Sequence, residues 1–66
     1  MQQLPPTDAQ CEAAITEMVA LHSVKGVLEY WEWDFCQSNR KRTCFTEKQK
    51  EIIKRFGIKY QLKVFK

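Results

Sequence analysis

The feature that most constrains this fold is a pair of capping boxes, each followed by residues at helical spacing. In a capping box, a threonine hydroxyl accepts a hydrogen bond from the backbone three residues on, and the glutamine there bonds back. Thr7 with Gln10, and Thr46 with Gln49, have this spacing. One face then recurs at three- and four-residue steps: Cys11, Ala14, Ile15, Met18, Leu21 and His22 after the first box, and Ile52, Ile53 and Phe56 after the second. The sequence therefore predicts two amphipathic helices.

Two glycines suggest where these helices end. The first helix is predicted over residues 8–24, with Lys25 and Gly26 at its C-terminal end. The second is predicted from the N-cap Thr46 to Gly57, which is the residue type most often found just after a helix.

The aromatic segment EYWEWDF between the two helices fits two structures. On a strand, Trp31, Trp33 and Phe35 share one face, whereas on a helix only Trp31 and Phe35 fall on the same stripe. Aromatic enrichment favours a strand. We therefore predict a hairpin of residues 28–36 with a short strand at 43–45. Trp31 and Phe35 are expected in the core under either interpretation, while Trp33 would face solvent on a helix.

The C-terminal segment alternates in polarity. Apolar residues occupy every second position from Ile58 to Val64, which is typical of a half-buried strand. The predicted order is thus α-β-β-α-β, an α+β fold with a small antiparallel three-stranded sheet and two helices on one face. The alternative is an all-α fold with a C-terminal helix-turn-helix, whose turn lies at Gly57 and Ile58.

Length and cysteine content indicate one small intracellular domain. A chain of 66 residues buries a modest core, and we assign residues 7–66 to one globular domain after an extended tail at 1–6. The start of the chain has no basic segment followed by an apolar run, and no stretch approaches the ~20 apolar residues of a membrane span. Three cysteines at Cys11, Cys36 and Cys44 are expected to be reduced in a cytoplasmic protein, and a bridge between the last two stays open.

No motif in the chain indicates catalysis. His22 is the only histidine, and Cys11 lies three helical turns, or ~16 Å, away from it. The acids Glu29, Glu32 and Asp34 are interpreted as a solvated strand face, because so short a chain offers little room for a cleft. We predict a protein that is not an enzyme and that needs no metal or cofactor.

Charge is divided unevenly along the chain. Residues 1–35 hold six acids and one base, a net charge of −5, whereas residues 36–66 hold two acids and ten bases, a net charge of +8. Such a division indicates a basic contact surface, and the alternative is that the two halves attract each other within the fold. The predicted nucleic-acid-binding residues are Arg40, Lys41, Arg42, Lys50, Lys54, Lys59 and Lys63. The favoured function is a small regulator that contacts nucleic acid.

The alternative function is a protein–protein interaction or inhibitor module that uses the aromatic and acidic strand at 28–36. Its predicted partner-binding residues are Tyr30, Glu32, Trp33 and Asp34, since tryptophan and tyrosine often anchor interfaces and acids attract a basic partner. An open strand edge would also allow a homodimer.

Overall fold

Three α-helices and a short 3₁₀ turn form the secondary structure, and the computed structural model describes residues 6–65. The helices are α1 (Asp8–Lys25), α2 (Tyr30–Ser38) and α3 (Glu47–Tyr60), and the 3₁₀ turn spans Lys63–Phe65. Residues 6–65 contain no β-strand, so the predicted α+β fold with its three-stranded sheet is wrong. The all-α alternative gives the correct class.

Helix α1 forms as its capping box predicts. The Thr7 hydroxyl accepts the backbone N–H of Gln10 at 3.1 Å, and the Gln10 side chain accepts the N–H of Thr7 at 2.9 Å. At the other end, Gly26 takes the left-handed conformation, with φ 60°, and its N–H donates to the His22 carbonyl at 2.7 Å. A side chain is disfavoured at such a φ, which explains why glycine ends this helix.

The aromatic segment is helical, so the predicted hairpin of 28–36 and 43–45 is wrong. Buried positions recur at helical steps, at Leu28, Glu32, Cys36 and Asn39. The first turn of α2 is fixed by the Glu29 backbone N–H, which donates to the Glu32 carboxylate at 2.8 Å. Because the strand preference of aromatic residues reflects packing more than the backbone itself, tertiary contacts override it here.

The rings of α2 pack against both neighbouring helices. Trp31 and Phe35 both contact Phe56, with ring centroids 5.4 and 5.6 Å apart, but Trp31 remains 53% exposed and Phe35 is half-buried. The expected core pair is therefore only partly buried. Trp33 does not face solvent as the helical interpretation required, because it stacks on His22 at 4.5 Å.

Helix α3 begins at its predicted capping box and continues three residues past its predicted end. Thr46 and Gln49 exchange their hydrogen bonds at 3.2 and 2.9 Å. The helix passes through Gly57 and stops before Gln61, which takes the left-handed conformation with φ 52°. The predicted strand from Ile58 to Val64 and the predicted helix-turn-helix at Gly57 are both wrong.

Gly57 is required for close packing and makes no turn. It is buried, and a Cβ placed there would lie 2.7 Å from Cε2 of the Phe65 ring. The chain returns over α3 after Gln61, with Leu62 1% exposed, and brings Phe65 onto the glycine. The alternation of apolar and polar residues in this segment therefore does not mark a strand. The segment contains the end of α3, its C-cap at Gln61 and the 3₁₀ turn.

A carboxylate of α1 holds this returning segment. Glu17 accepts the backbone N–H of Lys63 at 2.7 Å and that of Val64 at 3.2 Å. The predicted extended tail at 1–6 cannot be compared in the same way, since residues 1–5 and Lys66 lie outside the described residues.

All three helices contribute to one core. Its buried apolar side chains are Cys11, Ala14, Ile15, Met18, Leu28, Cys36, Phe45, Ile53, Phe56 and Leu62. Helices α2 and α3 run in opposite directions, because Glu32 near the start of α2 contacts Tyr60 at the end of α3, and Asn39 contacts Gln49. Among residues 6–65, no helix has the length and apolarity that crossing a bilayer requires.

The contact between Gly57 and Phe65 predicts that Gly57→Ala has opposite effects on stability in the wild-type chain and in a chain that also carries Phe65→Ala. Alanine is the better helix former by about 1 kcal/mol, yet the overpacking at Phe65 costs about 1–3 kcal/mol. We expect Gly57→Ala to lower the free energy of unfolding in the wild-type chain and to raise it in a Phe65→Ala background. Denaturant unfolding of the four chains measures both effects. Stabilisation by Gly57→Ala in the wild-type chain would show that Phe65 does not constrain this position.

Candidate binding surfaces

The predicted basic residues do not form one surface. Lys50 pairs with Asp8 at 3.6 Å, and Lys59 pairs with Glu32 at 2.9 Å and with Glu29 at 3.3 Å. Within residues 6–65, three of the four ion pairs thus join the acidic half of the chain to its basic half. Part of the uneven charge distribution therefore stabilises the fold, and Lys50 and Lys59 are engaged in it.

Three consecutive cations remain on the loop between α2 and α3. Arg40, Lys41 and Arg42 are exposed, and none forms an ion pair with the acids of residues 6–65. We call these three residues the basic loop. Lys48 is also exposed and unpaired within the same range, on the first turn of α3, although the sequence interpretation had not included it. Lys48 lies close to the basic loop in sequence, and this closeness could have identified it as part of the same basic surface.

Asn39 fixes the conformation at the start of the basic loop. This side chain is 5% exposed, and its amide nitrogen donates to the Phe35 carbonyl at 2.8 Å. Its oxygen accepts Nε of Arg42 at 2.9 Å and Nε2 of Gln49 at 3.1 Å. One amide therefore joins the end of α2, the loop and the start of α3.

The other two predicted bases lie away from the loop. Lys54 is half-buried in the middle of α3, and Lys63 is exposed in the 3₁₀ turn after the far end of that helix. Lys63 follows the end of α3 that is remote from the basic loop, because the loop precedes the start of this 14-residue helix.

Of the predicted partner-binding residues, two are exposed and two are wholly or partly buried. Tyr30 is 86% exposed, and Asp34 is exposed as well. Glu32 is fully buried, so no partner can touch it, and Trp33 is half-buried against His22. Trp31, which was expected in the core, is the second large exposed aromatic side chain of α2.

Glu32 lies at the centre of a polar cluster that connects α2 to α3. Its Oε1 accepts the backbone N–H of Glu29 at 2.8 Å and the hydroxyl of Tyr60, and its Oε2 accepts Nζ of Lys59 at 2.9 Å. The Lys59 ammonium also donates to Glu29 at 3.3 Å. A carboxylate with no solvent exposure is tolerated only when its oxygens are bonded in this way.

These contacts determine how the cluster titrates. Burial alone would raise the pKa of Glu32, but the hydrogen bonds from Tyr60, the Glu29 backbone and Lys59 outweigh it, so the pKa lies below its ordinary value. The hydrogen bond to Glu32 is the main reason that the pKa of Lys59 is raised. Burial, followed by the bond to Glu32, raises the pKa of Tyr60. The charged pair is therefore maintained at neutral pH.

The histidine and the buried cysteines make structural contacts. His22 accepts the Leu28 N–H on Nδ1 at 3.3 Å, as expected for a structural residue at the edge of the core. Burial, together with the charge of Glu32, raises the pKa of Cys36 to about 11, so this thiol is protonated at neutral pH and is a poor nucleophile. No group of His, Cys, Asp and Glu side chains within residues 6–65 is arranged to hold a metal ion.

The lowered pKa of Glu32 predicts a specific loss of stability in acid. The pKa of Glu32 is lower in the folded state than in the unfolded state. The carboxylate therefore stabilises the fold at pH values above its unfolded-state pKa of about 4.3, and this contribution is lost as pH falls through the folded-state pKa. We expect Glu32→Gln to cost about 1–3 kcal/mol at neutral pH and to reduce the change in stability between about pH 5 and pH 3. Denaturant unfolding at each pH measures both quantities.

The matched control is Glu12→Gln, which makes the same chemical change on the exposed side of α1. We expect it to change stability by less than about 0.5 kcal/mol. An acid dependence that is the same in Glu32→Gln as in the wild-type chain would show that Glu32 is not the titrating group.

Comparison of this chain with protein-family models, with curated proteins and with solved structures gave no match. Two exposed surfaces lie at the ends of α2: the basic loop at its C-terminal end and the aromatic side chains Tyr30 and Trp31 at its N-terminal end.

Proposed function

We propose that this protein is a small regulator that binds nucleic acid through the basic loop, with Lys48 beside it. The observation that supports the proposal is that three consecutive cations are exposed and have no acidic partner within residues 6–65. Lysine and arginine near a phosphate backbone release condensed counterions, which provides most of the affinity of non-specific binding.

The loop is suited to phosphate groups because part of it is already ordered. Arg42 uses Nε to bond Asn39, so its two terminal nitrogens remain for a phosphate oxygen. Since Asn39 is itself bonded to both flanking helices, less conformational freedom is lost on binding than in a flexible loop.

The proposed contact is with the backbone of the nucleic acid, without reading of base edges. Helix α3 is an unsuitable recognition helix, because Glu47 and Glu51 lie on its exposed surface and would approach the phosphates. Glu51 also pairs with Arg55 at 3.4 Å. We therefore propose weak binding with little sequence preference, with a dissociation constant of about 1–100 μM at physiological salt.

The proposed location is the cytoplasm. Cys11, Cys36 and Cys44 are all free thiols, and Cys11 and Cys36 are fully buried. Free thiols are typical of proteins that work in a reducing compartment.

The nucleic-acid proposal predicts a modest dependence on salt. About three to four phosphate contacts give a slope of about −3 for the logarithm of the association constant against the logarithm of salt concentration on duplex DNA. Fluorescence anisotropy with labelled duplex and single-stranded oligonucleotides measures this slope. We expect Arg40→Glu/Lys41→Glu to abolish binding, because the charge of the loop changes from +3 to −1.

The matched control is Lys25→Glu/Arg55→Glu, which changes the net charge of the protein equally but at exposed positions outside the loop and outside the predicted nucleic-acid-binding set. We expect it to retain most of the affinity. Equal losses in the two double variants would show that only net charge matters, and no binding to either probe at low salt would exclude the proposed function.

A further inference from the structure

Exposed apolar side chains are concentrated around the start of α2. Four of the five large apolar residues exposed within residues 6–65 lie between Val24 and Trp31. Val27 is 45% exposed, Tyr30 86% and Trp31 53%. Single exposed apolar side chains are ordinary, but a group of neighbours often marks an interaction site. We call Val27, Tyr30 and Trp31 the aromatic surface.

The aromatic surface is surrounded mainly by acids. Glu29, Asp34 and the buried Glu32 outnumber the cations Lys59 and Lys25, which gives a net charge of −1. Asp34 is exposed and forms no ion pair with the bases of residues 6–65. Exposed rings next to carboxylates fit a cationic segment, because guanidinium and ammonium groups are attracted both to the ring faces and to the acids.

A segment of this kind is present on the same chain, at the other end of α2. The basic loop carries a charge of +3 and follows the helix directly. It cannot fold back onto its own aromatic surface, because the nine residues of α2 hold the two about 13 Å apart. Asn39 further fixes the loop to the start of α3. The two complementary surfaces can therefore meet only between two copies.

We propose that the aromatic surface binds the basic loop of a second copy of this chain, so that copies associate head to tail. Tyr30 and Trp31 would contact the side chains of Arg40 and Lys41, and Asp34 would pair with one of these cations. The interface uses two different patches, so each dimer leaves one free patch of each kind and longer assemblies form with rising concentration. Nucleic acid would compete for the same loop.

Two charge variants test this arrangement by complementation. Tyr30→Ala/Asp34→Asn disables the aromatic surface without adding a positive charge and leaves the loop intact, whereas Arg40→Glu/Lys41→Glu disables the loop but leaves the aromatic surface intact. Sedimentation velocity at low salt should show concentration-dependent growth for the wild-type chain and a monomer for each variant. An equimolar mixture of the variants should form a dimer that grows no further, because only one functional pair of patches remains.

Tyr30→Ala provides a variant without a change in charge. The Tyr30 side chain makes no hydrogen bond within residues 6–65 and is largely exposed, so the circular dichroism spectrum should be unchanged while association weakens at least several-fold. A wild-type chain that stays monomeric at about 1 mM and low salt would overturn the proposal, as would a mixture that forms no dimer. Neither result bears on nucleic-acid binding, which is measured on the monomer with a separate probe.

Discussion

The buried carboxylate of Glu32 joins α2 to α3 through hydrogen bonds from Lys59 and Tyr60. An unpaired charge in this position would be too costly to bury, so the helices must lie where Lys59 and Tyr60 can both reach it. That requirement carries α3 past Gly57 as far as Tyr60. It also fixes the position of α2, and with it the two surfaces at the ends of that helix.

Two other acids of the first half of the chain act in a similar way. Asp8 accepts the Phe45 N–H at 3.1 Å and pairs with Lys50, which holds the segment leading into α3 against the start of α1. Glu17 holds the 3₁₀ turn through the N–H groups of Lys63 and Val64. The acidic half of the chain thus supplies acceptors for the basic half at both ends of α3.

Sequence reasoning succeeded where structure is determined locally. The capping boxes at Thr7 and Thr46 depend on residues three positions apart, so α1 and the start of α3 could be predicted. Helix α2 was not predicted, although Glu29 and Glu32 also form a box three residues apart, because glutamate is not a typical N-cap residue and aromatic enrichment favoured a strand. The burial of Glu32 was hidden as well, since its partners lie 27 and 28 residues away. The role of Gly57 was hidden for the same reason, since it depends on the later return of Phe65.

In the candidate sites too, features set by local sequence could be predicted, whereas features set by distant contacts could not. Arg40, Lys41 and Arg42 could be identified from composition, because consecutive bases on a short loop are seldom buried. Pairing of Lys50 and Lys59 requires knowledge of which acids the fold brings near them. Trp31 is exposed although it was expected in the core, and Trp33 is half-buried although a helix was expected to turn it towards solvent. The buried side of α2 follows Glu32 and Cys36, so the predicted stripe of Trp31 and Phe35 lies at its edge.

The three thiols make the folded state chemically distinguishable from the unfolded one. Cys11 and Cys36 have no solvent exposure, and Cys36 lies 4.0 Å from the sulfur of Met18, whereas Cys44 is exposed next to the basic loop. Burial raises the pKa of both Cys11 and Cys36, which further reduces their reactivity. An alkylating reagent would therefore label one thiol rapidly and reach the other two only during opening events, so the chain contains its own reporters of local unfolding at α1 and α2.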